Sequence, residues 1–270
     1  MIDKAFFDNH IDTLKECVNF ASNEIIKIYN SDSFGQVEKS DGSPLTIADK
    51  RSNEIILNSL HKISKDISVI SEETFNDDLI KNLDETYWLV DPLDGTREFI
   101  NKTGEFTVNI AMIDKKKVIF GIVGAPITGK IWHGSIFENV NIQNDSVEKL
   151  RIVMSKSHKS YRDKAFLSYI DSKKIDYEII EKGSSLKLCS LADNLADIYP
   201  RFGPTSEWDI AAAHAVLSCK GGSIIKTEDL QELDYAKQDS ILNPHFLAFR
   251  NESIKSDFLP VLGDFFKKLV

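Results

Sequence analysis

Apolar residues in the opening segment recur at intervals of three, four and seven. Ile11, Leu14, Val18, Ile25 and Ile28 make one stripe, which predicts an amphipathic helix ending near Ser31. A polar stretch follows. Ser43-Pro44-Leu45-Thr46 then leads into a second helical pattern through Ile55, Ile56, Leu60 and Ile63. Thr46 is its N-cap, with Asp49 three residues later able to reach back to the exposed amides as in a capping box. Ile67 to Ile70 reads as a short strand that ends at Ser71-Glu72-Glu73. Tyr87-Trp88-Leu89-Val90 is a continuous apolar run, the pattern of a strand buried on both faces. It stops abruptly at Asp91-Pro92-Leu93-Asp94-Gly95-Thr96. Phe106 to Ile113, Val118 to Ala125 and Ile131 to Phe137 are separated by turn sequences and predict an antiparallel meander.

From Leu150 the order changes. Strand-like pieces at Ile152 to Ser155, Tyr177 to Ile180 and Ala196 to Tyr199 alternate with helical pieces near Tyr161 to Ser172, Ser185 to Asn194 and Trp208 to Ser218. Alternation of this kind predicts an α/β half after an α+β half. The polar stretch Asn141 to Lys149 is the expected boundary, giving units 1–145 and 146–270. No internal repeat or low-complexity tract interrupts them.

Composition narrows the function. The 270 residues carry 33 Lys and Arg against 42 Asp and Glu, a formal net charge of −9, which disfavours a nucleic-acid polymer as partner. An anionic substrate would have to meet positive charge concentrated locally, on a few basic side chains or on cations held by carboxylates. Cys17, Cys189 and Cys219 show neither zinc-ligand spacing nor a disulfide framework and read as small buried apolar groups. The charged N-terminal segment lacks the apolar core of a signal peptide, and no run of about 20 apolar residues offers a membrane span, so a cytoplasmic protein is expected. The segment Phe258 to Leu269 ends in an apolar and basic patch, for which packing on the core and peripheral association with a membrane face both stay open.

Asp91-Pro92-Leu93-Asp94 places two carboxylates on a stiffened turn directly after a buried strand. Asp, Pro and Gly are ordinary turn residues. The full hexapeptide nevertheless offers two carboxylates and an intervening carbonyl oxygen, the hard donors that Mg²⁺ prefers. Gly95 lets a phosphate approach the backbone, where a helix starting at Thr96 would present free amides. Glu72-Glu73 is a second acidic pair at a strand end. Asp209 in Trp208-Asp209-Ile210-Ala211-Ala212 fits the first turn of a helix whatever else it does.

Together, Glu72 in Ser-Glu-Glu, the segment Asp91 to Thr96 and the segment Trp208 to Ala212 resemble, in order, the metal signatures of the inositol monophosphatase-like superfamily of Mg²⁺-dependent, lithium-sensitive phosphatases. That resemblance implies a layered αβαβα sugar-phosphatase-like architecture and two or three Mg²⁺ ions per active site. It implies that Glu72, Asp91 and the Leu93 carbonyl hold one ion, that Asp91, Asp94 and Asp209 hold another, and that Asp49 works with the Thr96 hydroxyl to orient and deprotonate the attacking water. The last role competes with the capping reading of Asp49.

Further segments narrow the resemblance to the 3'(2'),5'-bisphosphate nucleotidases: Gly95-Thr96-Arg97-Glu98-Phe99, Gly104 to Ile110, Gly183-Ser184-Ser185-Leu186-Lys187 and Tyr199 to Thr205. Arg97 departs from the lysine often found there. By this similarity the substrate is 3'-phosphoadenosine 5'-phosphate, a small phosphorylated nucleotide. Its reacting end would lie against Glu72, Leu93, Asp94, Gly95, Thr96 and Asp209, and its second phosphate against Ser184, Lys187 and Arg201. Ser155 and His158 would line the same cleft. Two alternatives stand beside this reading: an inositol or sugar monophosphatase with the same metals, and a silent cation-responsive binding protein.

Overall fold

A computed structural model describes residues 2–31, 35–38, 44–81, 83–138, 147–156, 160–237 and 239–267. The chain runs α1 (Lys4–Tyr29), β1 (Val37–Glu38), β2 (Pro44–Leu45), α2 (Ile47–Ile63), β3 (Ser68–Ser71), α3 (Asp77–Ile80), β4 (Thr86–Asp94), α4 (Thr96–Ile100), β5 (Thr107–Asp114), β6 (Lys117–Ala125) and β7 (Lys130–Ser135). It continues through β8 (Leu150–Ser155), α5 (Tyr161–Ser172), β9 (Tyr177–Lys182), α6 (Leu186–Ala192), β10 (Ile198–Arg201), α7 (Glu207–Ser218), β11 (Ser223–Lys226), β12 (Phe246–Phe249) and α8 (Glu252–Phe266).

Two five-stranded sheets organise the molecule, in the orders β3-β4-β5-β6-β7 and β11-β12-β10-β8-β9. In the first, β3 and β4 are parallel and the remaining pairs antiparallel, so the meander expected from the alternating apolar runs is present. In the second, β8 lies parallel to both β9 and β10, while β12 is antiparallel to β10 and β11. Three apolar clusters hold the layers together. Leu14, Val18 and Ile25 of α1 and Ile56 and Leu60 of α2 meet Trp88, Val90, Ile110 and Met112 on one face of the first sheet. The opposite face, through Tyr87, Leu89 and Ala111, packs on α6 and α7, which in turn cover Val153, Tyr199 and Phe246 of the second sheet. Phe166 of α5 and Leu262, Phe265 and Phe266 of α8 close the far side over Ile152, Ile198 and Leu247. The result is the layered αβαβα stack that the resemblance implied. Each such fully buried aliphatic or aromatic side chain contributes about 1.5–3 kcal/mol.

The unit boundary expected between 145 and 146 falls outside the described residues. The layers do not follow that division strictly, because α7 from the second half lies directly against the first sheet. Gly121 of β6 permits this: a Cβ there would stand 2.1 Å from the Ala212 carbonyl oxygen. Two short strands, β11 and β12, and the helix α8 were not among the expected elements, and β10 begins at Ile198 rather than Ala196. The two strands have four residues each, too few for a period to show. The packing of Phe265 and Phe266 shows what the apolar part of the C-terminal segment does, whereas Lys268 and Leu269 lie outside the described residues. All three cysteines are buried and free, and no described helix is long and apolar enough to cross a membrane.

Candidate active site

The site forms where β3 and β4 end together. Their parallel pairing brings Ser71 opposite Val90, so Glu72 and Asp91 leave adjacent strands side by side. Beyond Asp91 the ladder with β5 shifts register, and pairing resumes only at Asp94 and Thr107. Pro92 and Leu93 therefore bulge. The Ser52 hydroxyl on α2 donates to the Pro92 carbonyl at 2.7 Å, and the Ser71 hydroxyl donates to Asn53 Oδ1 at 2.7 Å. One helix thus steadies both strand ends. Leu93 N–H donates to Asp91 Oδ1 at 3.1 Å, which turns the Asp91 carboxylate back along the bulge. Gly95 then takes a left-handed conformation, φ 93°, and α4 begins at Thr96.

Asp91 is almost fully buried. Its carboxyl is held well above the usual range, first by burial and then by the charges of Glu72, Asp94 and Asp209. Asp209 is raised by burial, Asp94 and Glu72. Asp94 is pushed up to about 6 by burial, against the opposing pull of Lys187 and of the Ser185 amide. Among the described residues no three acidic or imidazole groups are drawn into a ready-made metal cage. The donor set still fits a hard cation. The carboxylates of Glu72, Asp91, Asp94 and Asp209 are oxygen ligands of the kind Mg²⁺ takes, and a cation among them would relieve the repulsion felt by Asp91 and Asp209.

Asp49 makes the contacts of a helix cap with one carboxylate oxygen and a contact to Thr96 with the other. Its Oδ2 accepts from the Thr46 backbone N–H and hydroxyl, each at 2.7 Å, which is the capping box of α2. Its Oδ1 accepts from the Thr96 hydroxyl at 3.1 Å, and that hydroxyl also lies 3.3 Å from the Leu93 carbonyl. Burial raises the Asp49 carboxyl and the Thr46 and Thr96 hydrogen bonds lower it. Asp209 repeats the device: it stands at the third position of α7, and its Oδ2 accepts from Ser206 N–H at 2.9 Å.

A cleft of about 600 Å³ including its open mouth runs from these carboxylates to the second sheet. Asp94, Gly95 and Asp209 line it together with Ser155, Ser184, Lys187 and Arg201, so part of the expected reacting end shares one cavity with the expected second-phosphate end, while Glu72, Leu93 and Thr96 are not among its lining residues. Lys187 is buried; desolvation pulls its ammonium down to about 8, and its Nζ donates to the Ser184 carbonyl at 2.7 Å. Arg201 Nη2 donates to the Pro204 carbonyl at 2.9 Å, while its buried Nε has no acceptor among the described residues. Ser184 holds a left-handed φ of 44°, a conformation that costs a non-glycine residue of order 1 kcal/mol. His158 lies outside the described residues.

Several participants had no role in the sequence reading. Asp94 Oδ2 accepts from Ser185 N–H at 2.5 Å, with Asn109 Nδ2 at 3.3 Å and the Thr107 hydroxyl at 3.4 Å. The Ser185 hydroxyl bonds Asn109 Oδ1 at 2.9 Å and the Thr107 hydroxyl at 2.8 Å, tying α6 to the first sheet. Thr107 and Asn109 stand two apart in an otherwise apolar strand, so they share a face; that interruption of the pattern was a readable signal. Ser52 and Asn53 gave none. Glu98, Tyr199 and Thr205 also line the cleft.

The inositol monophosphatase family model matches residues 9–256. The chain belongs to that family. This member is 37% identical over 245 residues to the 3'(2'),5'-bisphosphate nucleotidase CysQ of Escherichia coli K12, a match covering 87% of this chain and 98% of the relative. It is 38% identical over 252 residues to the same-named protein of Buchnera aphidicola, covering 88% and 92%. The crystal structure of CysQ from Bacteroides thetaiotaomicron, a bacterial member of the family, superposes with a TM-score of 0.78 at 30% identity, over 93% of this chain and all of that one.

Proposed function

We propose that this family member is a Mg²⁺-dependent 3'(2'),5'-bisphosphate nucleotidase that converts 3'-phosphoadenosine 5'-phosphate to AMP and phosphate, working in the cytoplasm. The observation that carries the reading is the continuity of one cleft between the carboxylate end and the Ser184, Lys187 and Arg201 end. A substrate with a single phosphate would leave the orphan Nε of Arg201 without an acceptor, and a buried unpaired donor is costly.

Glu72, Asp91, the Leu93 carbonyl, Asp94 and Asp209 would hold two or three Mg²⁺ ions. When bound, the ions would neutralise the transferred phosphoryl group, acidify a water and stabilise the leaving oxygen. The chain's own contribution is positional. With its hydroxyl hydrogen directed at Asp49 Oδ1, Thr96 Oγ1 presents a lone pair to a water, orienting it toward phosphorus. The proton lost by that water passes through the Thr96 hydroxyl to Asp49, whose other oxygen stays fixed in the helix cap. Gly95, without a side chain, lets the Glu105 carbonyl and Ser184 pack against the turn, 3.1 and 3.3 Å from where a Cβ would stand. Lys187 and Arg201 bind the second phosphate, Ser184 offers its hydroxyl, and Ser155 lines the same cleft.

Phosphate release with Mg²⁺ from 3'-phosphoadenosine 5'-phosphate, inositol 1-phosphate and fructose 1,6-bisphosphate, compared by kcat/KM, tests the proposal. A preference for the nucleotide is expected. A preference for inositol or sugar phosphates would keep the carboxylate assignment and discard the second-phosphate site. No activity on any of them would mean a silent cation-binding protein.

A further inference from the structure

The loop that carries Ser184 belongs to the second sheet, following β9, yet its position is set by the first half of the chain. Glu105 Oε2 accepts from Gly183 N–H at 3.0 Å. Its Oε1 lies 3.5 Å from Lys182 Nζ. The fit is close on every side: a Cβ at Gly183 would stand 2.8 Å from the Glu105 carbonyl oxygen and 2.9 Å from Glu98 Cγ. Two residues on, Ser185 N–H donates to Asp94. Between these two fixed amides Ser184 is held in its left-handed conformation, and that conformation aims its carbonyl at Lys187 Nζ.

We propose that Glu105 is a specificity-determining positioning residue: by gripping Gly183 N–H it sets the Ser184 and Lys187 clamp at the distance from Asp94 that a substrate with two phosphates requires. The inference rests on the bisphosphate reading given above. Glu105 touches no reacting atom and acts through the loop. Without its carboxylate, Ser184 is free to relax to an ordinary backbone conformation, and the carbonyl that orients Lys187 turns with it. The Asp94 end keeps its ties to Thr107 and Asn109, which do not run through the loop. Loss of Glu105 therefore weakens recognition of the distant phosphate more than it weakens hydrolysis of the near one.

The test measures kcat/KM for 3'-phosphoadenosine 5'-phosphate and for adenosine 3'-monophosphate, which differ only in the second phosphate, in the wild type, Glu105→Ala, Glu105→Gln and Lys182→Gln. Glu105→Ala is expected to lower the bisphosphate to monophosphate ratio by about tenfold to a hundredfold, the scale of a misplaced binding group. The loss should fall mainly on KM for the bisphosphate. Glu105→Gln, whose amide oxygen still accepts from Gly183 N–H, should restore most of the ratio, and Lys182→Gln should leave it unchanged. A ratio in Glu105→Ala equal to wild type overturns the inference, as does an equal fall for both substrates. So does a Glu105→Gln variant no better than Glu105→Ala. A wild type that shows no preference for the bisphosphate instead sinks the functional reading on which the inference stands. Should Glu105→Ala fail to fold, Glu105→Asp carries the same test, because its shorter side chain withdraws the acceptor from Gly183.

Discussion

Gly121→Ala probes the contact that places Asp209 opposite the other acids. The new methyl would sit 2.1 Å from the Ala212 carbonyl oxygen and 2.7 Å from Ala212 Cα, both backbone atoms of α7 that no rotamer change can move. A Cβ contact under 3.0 Å is essentially never seen, so β6 and α7 must separate by about 0.9 Å or more at that point. Overpacking of this kind costs about 2–3 kcal/mol. For a chain of this size that is roughly 5–10 °C in the unfolding midpoint. Ala212 lies one turn beyond Asp209 on the same helix, so the shift is carried to the carboxylate. A displacement of about 1 Å at a catalytic group costs up to a hundredfold in rate. Urea unfolding followed by circular dichroism gives the first quantity. Mg²⁺-dependent kcat/KM, measured well below both unfolding midpoints, gives the second. An alanine variant with wild-type midpoint and full activity would refute the reasoning. A less stable variant with full activity would show that β6, not α7, yields to the methyl.

Asp94→Asn should keep the fold, since the amide oxygen can still accept from Ser185 N–H, while kcat/KM falls at least about a hundredfold; near-full turnover would place the chemistry elsewhere. Adding Mg²⁺ should raise the unfolding midpoint by relieving the repulsion among Glu72, Asp91, Asp94 and Asp209, by about 2.7 kcal/mol at a hundredfold excess over Kd, and EDTA should reverse it. A midpoint indifferent to Mg²⁺ contradicts the assignment. Millimolar lithium should slow phosphate release while magnesium is below saturation, as the family resemblance implies. Burial pulls His214 down from 6.5 to about 4, where its Nδ1 lies 2.7 Å from the Tyr235 hydroxyl. Folding therefore favours the neutral ring. Its contribution is whole above pH 6.5 and is lost as pH falls toward 4, about 3 kcal/mol in all. His214→Gln should flatten the fall in urea-derived stability across that window relative to wild type, and parallel curves would contradict the reading.

The long helices α1 and α2 and the meander of the first half were legible because each spans enough residues for a period of 3.6 or 2 to repeat, whereas α3, of four residues, was not. The carboxylates were legible for a different reason: Asp91 and Asp94 interrupt a continuous apolar run, and interruptions of pattern are where a chain departs from packing alone. The second sheet was harder. β11 and β12 have four residues each and are completed by partners far along the chain, so their pairing is a tertiary fact with little local trace. The supports of the site were equally silent. Ser52 and Asn53 are ordinary polar residues in an amphipathic helix until the fold brings Pro92 and Ser71 to them. Glu105 could not be distinguished from any exposed glutamate without knowing that Gly183 arrives beside it.

If Asp49 works as proposed, its two carboxylate oxygens limit how this protein can be changed. Most enzymes can be hardened against heat by improving helix caps, because a cap and an active site are different places. Here the start of α2 is closed to that kind of engineering: any residue that caps better than the Thr46 and Asp49 pair displaces the carboxylate that faces Thr96. The same holds, through Ser206 and Asp209, for α7. A lineage adapting to higher temperature would have to find its extra stability elsewhere, for instance in the outer layer of α5 and α8, leaving these two helix ends as they stand.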